Sequence, residues 1–354
     1  MIKVLVVDDS PVVRDLLVHI LQSDPAIHVT GTANNGKEAV EFVRGKRPDI
    51  VVMDIQMPEM DGIEASRAIM ETNPLPIIMV SAFWDPKEKE KTFIALDAGA
   101  VAFIEKPQGA GHHKYEHTSR HLVNMVKSLS NAEFVRPGTN KTLQEKCGES
   151  EAIEKSREFE GKVKLIAIGA STGGPQTIQI ILKNLTKEIS VPLLIVQHIA
   201  PGFIDGLVEW LAKTTSFKMH IARNGDTPLP GHVYFAPDDC HMGVDSNSRI
   251  FLRSSAPENG LRPAVSFLFR SIAENIRDKA IGVLLTGMGK DGALELKLMK
   301  ECGSITIAQD RDSSIVYGMP AEAKKLEAAM HILPLNCIPA VLEKLASKTC
   351  AAAS

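Results

Sequence analysis

Five short runs of β-branched and apolar residues alternate with segments of helical period across the first 107 residues. The runs are Ile2–Val7, His28–Ala33, Ile50–Met53, Ile77–Val80 and Ala102–Ile104. Between them Pro11–Gln22, Gly36–Arg44, Ile63–Glu71 and Glu88–Ala98 each carry a single apolar stripe, the pattern of an amphipathic helix. Strands this apolar cannot leave one face in water, and crossover helices between them force parallel pairing. The first part of the chain is therefore expected to be a doubly wound α/β domain. A further amphipathic segment, Tyr115–Leu129, sets Leu122, Met125, Val126 and Leu129 at helical spacing.

Residues 131–162 interrupt this order. They mix charges with Pro137–Gly138 and show no apolar period, as a linker would, with some helix expected in Glu149–Glu160. From Val163 the alternation resumes. Strands are predicted at Lys164–Ile168, Leu193–Gln197, Ile281–Leu285 and Ser304–Ala308, and helices at Gln176–Leu185, Ile204–Thr214, Ala264–Ile276 and Ala293–Cys302. Residues Gly231–Arg253 read as a β-hairpin excursion. The expected partition is a domain at 1–130, a linker at 131–162 and a second α/β domain, with a mostly parallel sheet, at 163–350.

Composition removes several classes of function. Forty basic against 43 acidic side chains leave a net charge of −3, so no global field draws the chain to nucleic acid or a membrane surface. Aromatic residues at 5% supply few platforms for stacking bases. No apolar run approaches the roughly 18 residues of a membrane span. The five cysteines are scattered and never in a CxxC pair, which fits a reducing, cytoplasmic compartment and argues against a disulfide or zinc framework.

The strand ends carry the chemistry. Asp8 and Asp9 follow the first strand, Asp54 the third, Ser81 the fourth, and Lys106 the fifth, just before Pro107. In a doubly wound sheet these C-terminal ends converge on one crevice. Three carboxylates there repel one another unless a cation lies between them, and magnesium suits a site of few carboxylates and several waters. Each acid taken alone would be an ordinary helix cap or solvated loop residue. Five suitable side chains on four strand ends make that reading inadequate.

VDDS at 7–10, MDIQMPEMDG at 53–62, Ser81 and Lys106–Pro107 match in order and spacing the motifs of a response-regulator receiver, which residues 1–130 resemble. The resemblance implies a flavodoxin-like fold with a five-stranded parallel sheet. It also implies phosphorylation of Asp54 by a histidine kinase, and magnesium held by Asp9, Asp54 and the Gln56 backbone carbonyl beside Asp8. Ser81 and Phe103 would move as a switch pair, with Lys106 facing the phosphoryl group. A phosphoryl group brings nearly two negative charges and three acceptors for that hydroxyl and ammonium.

In the second half, KLIAIGASTGG at 164–174 runs a strand into Gly169-Ala170-Ser171-Thr172-Gly173 and then a helix. This is G-x-S-x-G in a strand–turn–helix setting, which lifts a serine hydroxyl above the sheet edge. The helix N-terminus offers unpaired N–H groups for an oxyanion. A serine needs a base. His198 ends the next strand, and Asp291 lies in TGMGKDG after another, so three suitable groups reach the same edge. Two alternatives remain at this stage. The glycine loops could cradle a phosphate, although neither has P-loop or dinucleotide-fingerprint spacing. His241 is a rival to His198 as base.

IGASTGGP, QHIAPGF, PGHVYFAP, RPAVSFLF, LLTGMGKDG and AQDRDSSIVYGMP together resemble the catalytic domain of the CheB protein-glutamate methylesterase family, over residues 163–345. The resemblance implies Ser171 as nucleophile, His198 as base and Asp291 as its orienting partner, with oxyanion and cleft groups near Thr172 and Met288. It departs at Glu295, where many members carry glycine, at Ser266, which replaces a common aspartate, and around Ala328–Met330. The implied reaction hydrolyses glutamate methyl esters on chemoreceptor helices, and deamidates certain receptor glutamines, through an acyl-enzyme. No cofactor is expected for the esterase step. A monomer is expected, with chemoreceptors as substrates, a chemotaxis histidine kinase as phosphodonor, and neither nucleic-acid binding nor membrane insertion. The unphosphorylated receiver is expected to cover the cleft, and phosphorylation to release it. The competing reading is a receiver joined to a non-catalytic output domain that binds a nucleotide or a partner protein. His112, His113, His117 and His121 also recur near helical spacing; a solvated helix face is the expectation there rather than a metal site.

Overall fold

A computed structural model of the chain describes residues 1–81, 93–109, 111–112, 115–130, 163–186 and 189–347. It divides into two compact units, Met1–Pro137 and Gly138–Ser354. Residues 88–92 of the fourth predicted helix, His113 and the whole 131–162 segment lie outside the described residues; 93–97 are helical.

The first unit is a parallel five-stranded sheet in the order β2-β1-β3-β4-β5. Its strands are β1 (Ile2–Val7), β2 (Ile27–Ala33), β3 (Ile50–Asp54), β4 (Ile77–Ser81) and β5 (Ala102–Glu105). Every residue of β3 and β4 is buried, as a strand covered on both faces requires. Helix α1 (Pro11–Gln22) packs beside α4 (Tyr115–Ser130), and α2 (Gly36–Lys46) beside α3 (Gly62–Thr72). The starts of these helices are encoded locally. Pro11 opens α1, Asn35 caps α2 by accepting the Glu38 N–H, and Asp61 with Glu64 forms a capping box on α3. In α4 the side chains of Leu122, Met125, Val126 and Leu129 are the buried ones, the stripe expected from their spacing.

The second unit is a seven-stranded sheet, order β14-β13-β12-β6-β7-β9-β8, in which every pairing is parallel. Its strands are β6 (Leu165–Ala170), β7 (Leu193–Gln197), β8 (Lys218–Ile221), β9 (His232–Phe235), β12 (Ala280–Leu284), β13 (Ile305–Gln309) and β14 (His331–Leu333). The hairpin excursion is narrower than the 231–253 expected. Only β10 (His241–Val244) and β11 (Ile250–Arg253) pair antiparallel, while β9 enters the main sheet between β7 and β8. Helix α5 (Gly174–Asn184) neighbours α6 (Ile204–Thr214) and α10 (Ile338–Ser347), and α8 (Ala293–Glu301) neighbours α7 (Val265–Asn275) and α9 (Met319–Lys325).

Helix α7 is anchored in the core. Val265, Leu268, Phe269 and Ile272 are buried in one hydrophobic cluster with Leu165 and Ala167 of β6 and Leu284 of β12. Each such side chain contributes about 1.5–3 kcal/mol by leaving water. That packing fixes the N-terminus of α7, which the site uses. Cys240 and Cys302 are free thiols, whereas Cys337 is disulfide-bonded, a pairing the scattered cysteine spacing did not suggest. Among the described residues no helix is long and apolar enough to cross a membrane.

Candidate active site and acid pocket

In the first unit the strand ends bring the predicted residues together. Carboxylate oxygens of Asp8, Asp9 and Asp54 all lie within 4.8 Å of one another, with Asp8 and Asp54 buried and Asp9 exposed. Lys106 extends its ammonium between two of them, 3.0 Å from Asp8 and 2.8 Å from Asp54. Burial pushes the Asp54 carboxyl up to about 6, against the pull of Lys106 and with a further push from Asp8. One ammonium does not compensate three carboxylates. Asp8 Oδ2 is buried and accepts no hydrogen bond of good geometry, although Lys106 is near. An oxygen-only cluster of three carboxylates that share a single ammonium fits a hard divalent cation.

Gln56 follows in the exposed loop after β3, two residues beyond Asp54. Ser81 ends β4 and is 1% exposed, and its carbonyl accepts the Lys106 N–H at 2.9 Å. Phe103 sits half-buried on β5 in edge-to-face contact with Phe93, ring centres 5.8 Å apart. His117 and His121 stack on α4, and both are exposed. Among the described residues the acid cluster is the only grouping of three or more metal-ligating side chains.

In the second unit Ser171 leaves β6 at a turn closed by Gly174 N–H donating to the Ser171 carbonyl at 2.8 Å. Gly173 has φ +78°, a left-handed conformation that glycine adopts without strain. The Ser171 N–H is used, donating to the Thr286 carbonyl at 3.0 Å, so it cannot serve an oxyanion. The next two N–H groups, of Thr172 and Gly173, open α5 without a partner among the described residues, while the Thr172 carbonyl accepts from Thr286 Oγ1. Met288 lies half-buried on the loop after β12. In that loop Gly287 approaches so closely that a Cβ there would stand 2.6 Å from the Ser171 Cβ.

His198 follows β7 and offers Nε2 to Asp291 Oδ2 at 2.9 Å. Its other nitrogen, Nδ1, is buried with no hydrogen-bond partner. Asp291 is 2% exposed and accepts also from the Val265 N–H at 2.6 Å and the Ser266 N–H at 3.2 Å. It occupies the N-terminus of α7, where Ala264 at the cap supplies no side-chain acceptor. Burial alone would raise this carboxyl, but the bonds from His198, Ser266 and Val265 prevail and hold it below the usual carboxylate range.

The rival histidine is elsewhere engaged. His241 is fully buried, stacks on Phe267, accepts the Ala264 N–H on Nδ1 and places Nε2 on the Ala256 carbonyl. Both nitrogens serve the backbone.

Sequence reasoning missed two buried glutamines. One amide nitrogen of Gln197, Nε2, donates to the carbonyls of Ser171 and His198, each at 2.8 Å, tying the two loops together. Gln309 accepts the Thr286 N–H, and so fixes the strand end that holds Ser171. Both lie in quoted motifs, QHIAPGF and AQDRDSS, and a buried strand-terminal glutamine was the available signal.

The two folds and their strand-edge sites define the class: a receiver domain and an α/β hydrolase-type domain carried on one chain. Residues 4–113 match the response regulator receiver domain, and residues 166–342 match the CheB methylesterase domain. The chain belongs to the CheB methylesterase family. It is 49% identical over 350 residues, 98% of this chain and 99% of the relative, to protein-glutamate methylesterase/protein-glutamine glutaminase 1 of Syntrophus aciditrophicus. The protein of that name from Nitrosospira multiformis is 47% identical, with 98% of each chain covered. The crystal structure of the Thermotoga maritima CheB methylesterase catalytic domain is 39% identical, with a TM-score of 0.50, covering 52% of this chain and 98% of that one.

Proposed function

We propose that this chain is a phosphorylation-activated protein-glutamate methylesterase and protein-glutamine glutaminase, with Ser171, His198 and Asp291 as its catalytic residues. The observation that carries the reading is the unpartnered His198 Nδ1 on a ring whose Nε2 is already committed to Asp291. A buried imidazole nitrogen left free at the edge where the serine turn opens is the acceptor such a serine requires.

His198 Nδ1 takes the Ser171 Oγ proton as the hydroxyl attacks the side-chain carbonyl of a glutamate methyl ester. The Thr172 and Gly173 N–H groups at the start of α5 hold the oxyanion, with Met288 bounding the cleft. His198 returns the proton to methoxide and methanol leaves. Water, activated by the same nitrogen, then cleaves the acyl-enzyme to glutamate. A glutamine substrate follows the same path with ammonia leaving. Throughout, Asp291 keeps the proton of the neutral ring on Nε2 and stabilises the imidazolium.

Receiver domains are phosphorylated in a magnesium-dependent way. Here Asp8, Asp9, Asp54 and the Gln56 carbonyl would hold the ion, which when bound offsets charge on the phosphoryl oxygens. Asp54 is the acceptor, Lys106 pairs with the incoming phosphoryl oxygens, and Ser81 and Phe103 respond to it. The family acts on chemoreceptors and is phosphorylated by a kinase. We assign chemoreceptor glutamates as substrate and a chemotaxis histidine kinase as donor, on a working partition of 1–130, 131–162 and 163–350. The esterase reaction as written uses protein groups alone.

The test is methanol release from methylated receptor membranes, with and without acetyl phosphate. Ser171→Ala is expected to abolish release while Asp54 is still phosphorylated, and the phosphodonor to raise the wild-type rate. Retained release in Ser171→Ala would sink the serine assignment.

A further inference from the structure

Two polar residues beside Asp291, from different helices, meet in space. Ser266, the second residue of α7, and Glu295, in the first turn of α8, are 29 residues apart, yet Ser266 Oγ donates to Glu295 Oε2 at 2.6 Å. The same hydroxyl oxygen accepts the Gly292 N–H at 3.0 Å, and the Ser266 N–H donates to Asp291 Oδ1 at 3.2 Å. Ser266 thus holds the residue at 291 at its side chain and at the peptide that follows it.

A serine hydroxyl has one proton and two lone pairs, so its direction is set by its strongest acceptor. A carboxylate at 2.6 Å is such an acceptor, and charge-assisted bonds of this kind are about twice as strong as neutral ones. With the proton committed to Glu295, a lone pair is left facing Gly292 N–H. Glu295 is itself anchored: its other oxygen lies 3.8 Å from the Arg270 guanidinium, which Glu258 grips through both terminal nitrogens. Ser266 is 3% exposed and the Glu295 side chain 15%, so solvent competes weakly for these bonds.

We infer that Ser266 and Glu295 form a positioning unit that sets the Asp291 carboxylate against His198 Nε2. This rests on the catalytic reading above. The unit touches no reacting atom; it acts through Asp291.

The experiment is steady-state methanol release by the full-length protein with Ser266→Ala, Glu295→Ala, both together, and the conservative Ser266→Thr, alongside Ser171→Ala. Proton NMR of the His198 Nε2–H supplies a second readout. Ser266→Ala and Glu295→Ala are each expected to lower kcat about tenfold, the rate equivalent of one ordinary hydrogen bond. KM should stay within twofold, the Nε2–H resonance should broaden or move upfield, and the double variant should be no worse than Ser266→Ala. Ser266→Thr, which keeps the hydroxyl, should recover most of kcat. Wild-type kcat and an unmoved resonance in soluble, folded Glu295→Ala would overturn the proposal, even if its melting temperature fell. So would fully independent losses in the double variant. Activity retained in Ser171→Ala would instead remove the reading on which it rests.

Discussion

Replacing Asp291 by asparagine changes one atom and gives the site two ways to fail. Asp291 Oδ2 accepts from both His198 Nε2 and Val265 N–H, and Oδ1 accepts from Ser266 N–H. An asparagine that keeps oxygen toward His198 aims its NH₂ at the Ser266 N–H, donor against donor. Leaving buried donors unsatisfied costs about 1–3 kcal/mol each, at a site only 2% exposed. The flipped amide is worse for catalysis. Its NH₂ would face both the Val265 N–H and His198 Nε2, and the ring could answer only by accepting on Nε2 and carrying its proton on Nδ1. In the proposed mechanism Nδ1 is the atom that takes the serine proton. We expect a fall in kcat of about 10³–10⁴, the scale of the corresponding change in a Ser-His-Asp protease, and a stability loss of about 1–3 kcal/mol. Burst-phase kinetics with an activated acyl ester measure the first, and urea unfolding the second. A variant within tenfold of wild type, with unchanged stability, would refute the role of Asp291.

The receiver should show an inverted acid response. Asp54 has its carboxyl raised to about 6 in the fold, so the folded state binds the proton more tightly than the unfolded chain. Its contribution is then fully present below about pH 4 and lost as pH rises through about 6. Without divalent cation, residues 1–130 should gain about 1–3 kcal/mol of stability from this group between pH 7 and 4.5. Asp54→Asn should flatten that dependence; an unchanged slope in thermal melts would count against it. Gln197→Leu keeps volume but strips the donor from two carbonyls. We expect a loss of about 2–4 kcal/mol, read by urea denaturation together with a lower kcat; wild-type values for both would show that the tie is dispensable. His241→Phe should destabilise the fold while leaving kcat within a few-fold. A folded, inactive His241→Phe would return that histidine to candidacy as the base.

Much of the site was legible because a parallel sheet converts sequence into position. Asp8, Ser171 and His198 follow apolar strands and Asp54 and Ser81 end them, and within each sheet the strand C-termini meet at one edge by construction. The crossover helices were equally legible from their apolar stripes. Less was readable where strands are short and half-exposed. Lys218–Ile221 has no fully buried residue, so no apolar run announces it, and from sequence β9 reads as part of a hairpin although it pairs in the main sheet. The choice between His198 and His241 was open for the same kind of reason. Both follow or begin strands, and their difference lies in what their nitrogens meet.

The sequence by itself determined the two α/β units, the charge balance and the residue types at each strand end, since these depend on period and local chemistry. Tertiary structure decided the strand order, the commitment of His198 Nε2 to Asp291, the Gln197 tie and the meeting of Ser266 with Glu295. Those partners are separated by up to 93 residues. Hydrogen bonds of that reach depend on angles and distances of tenths of an ångström, set only when whole sheets and helices have packed.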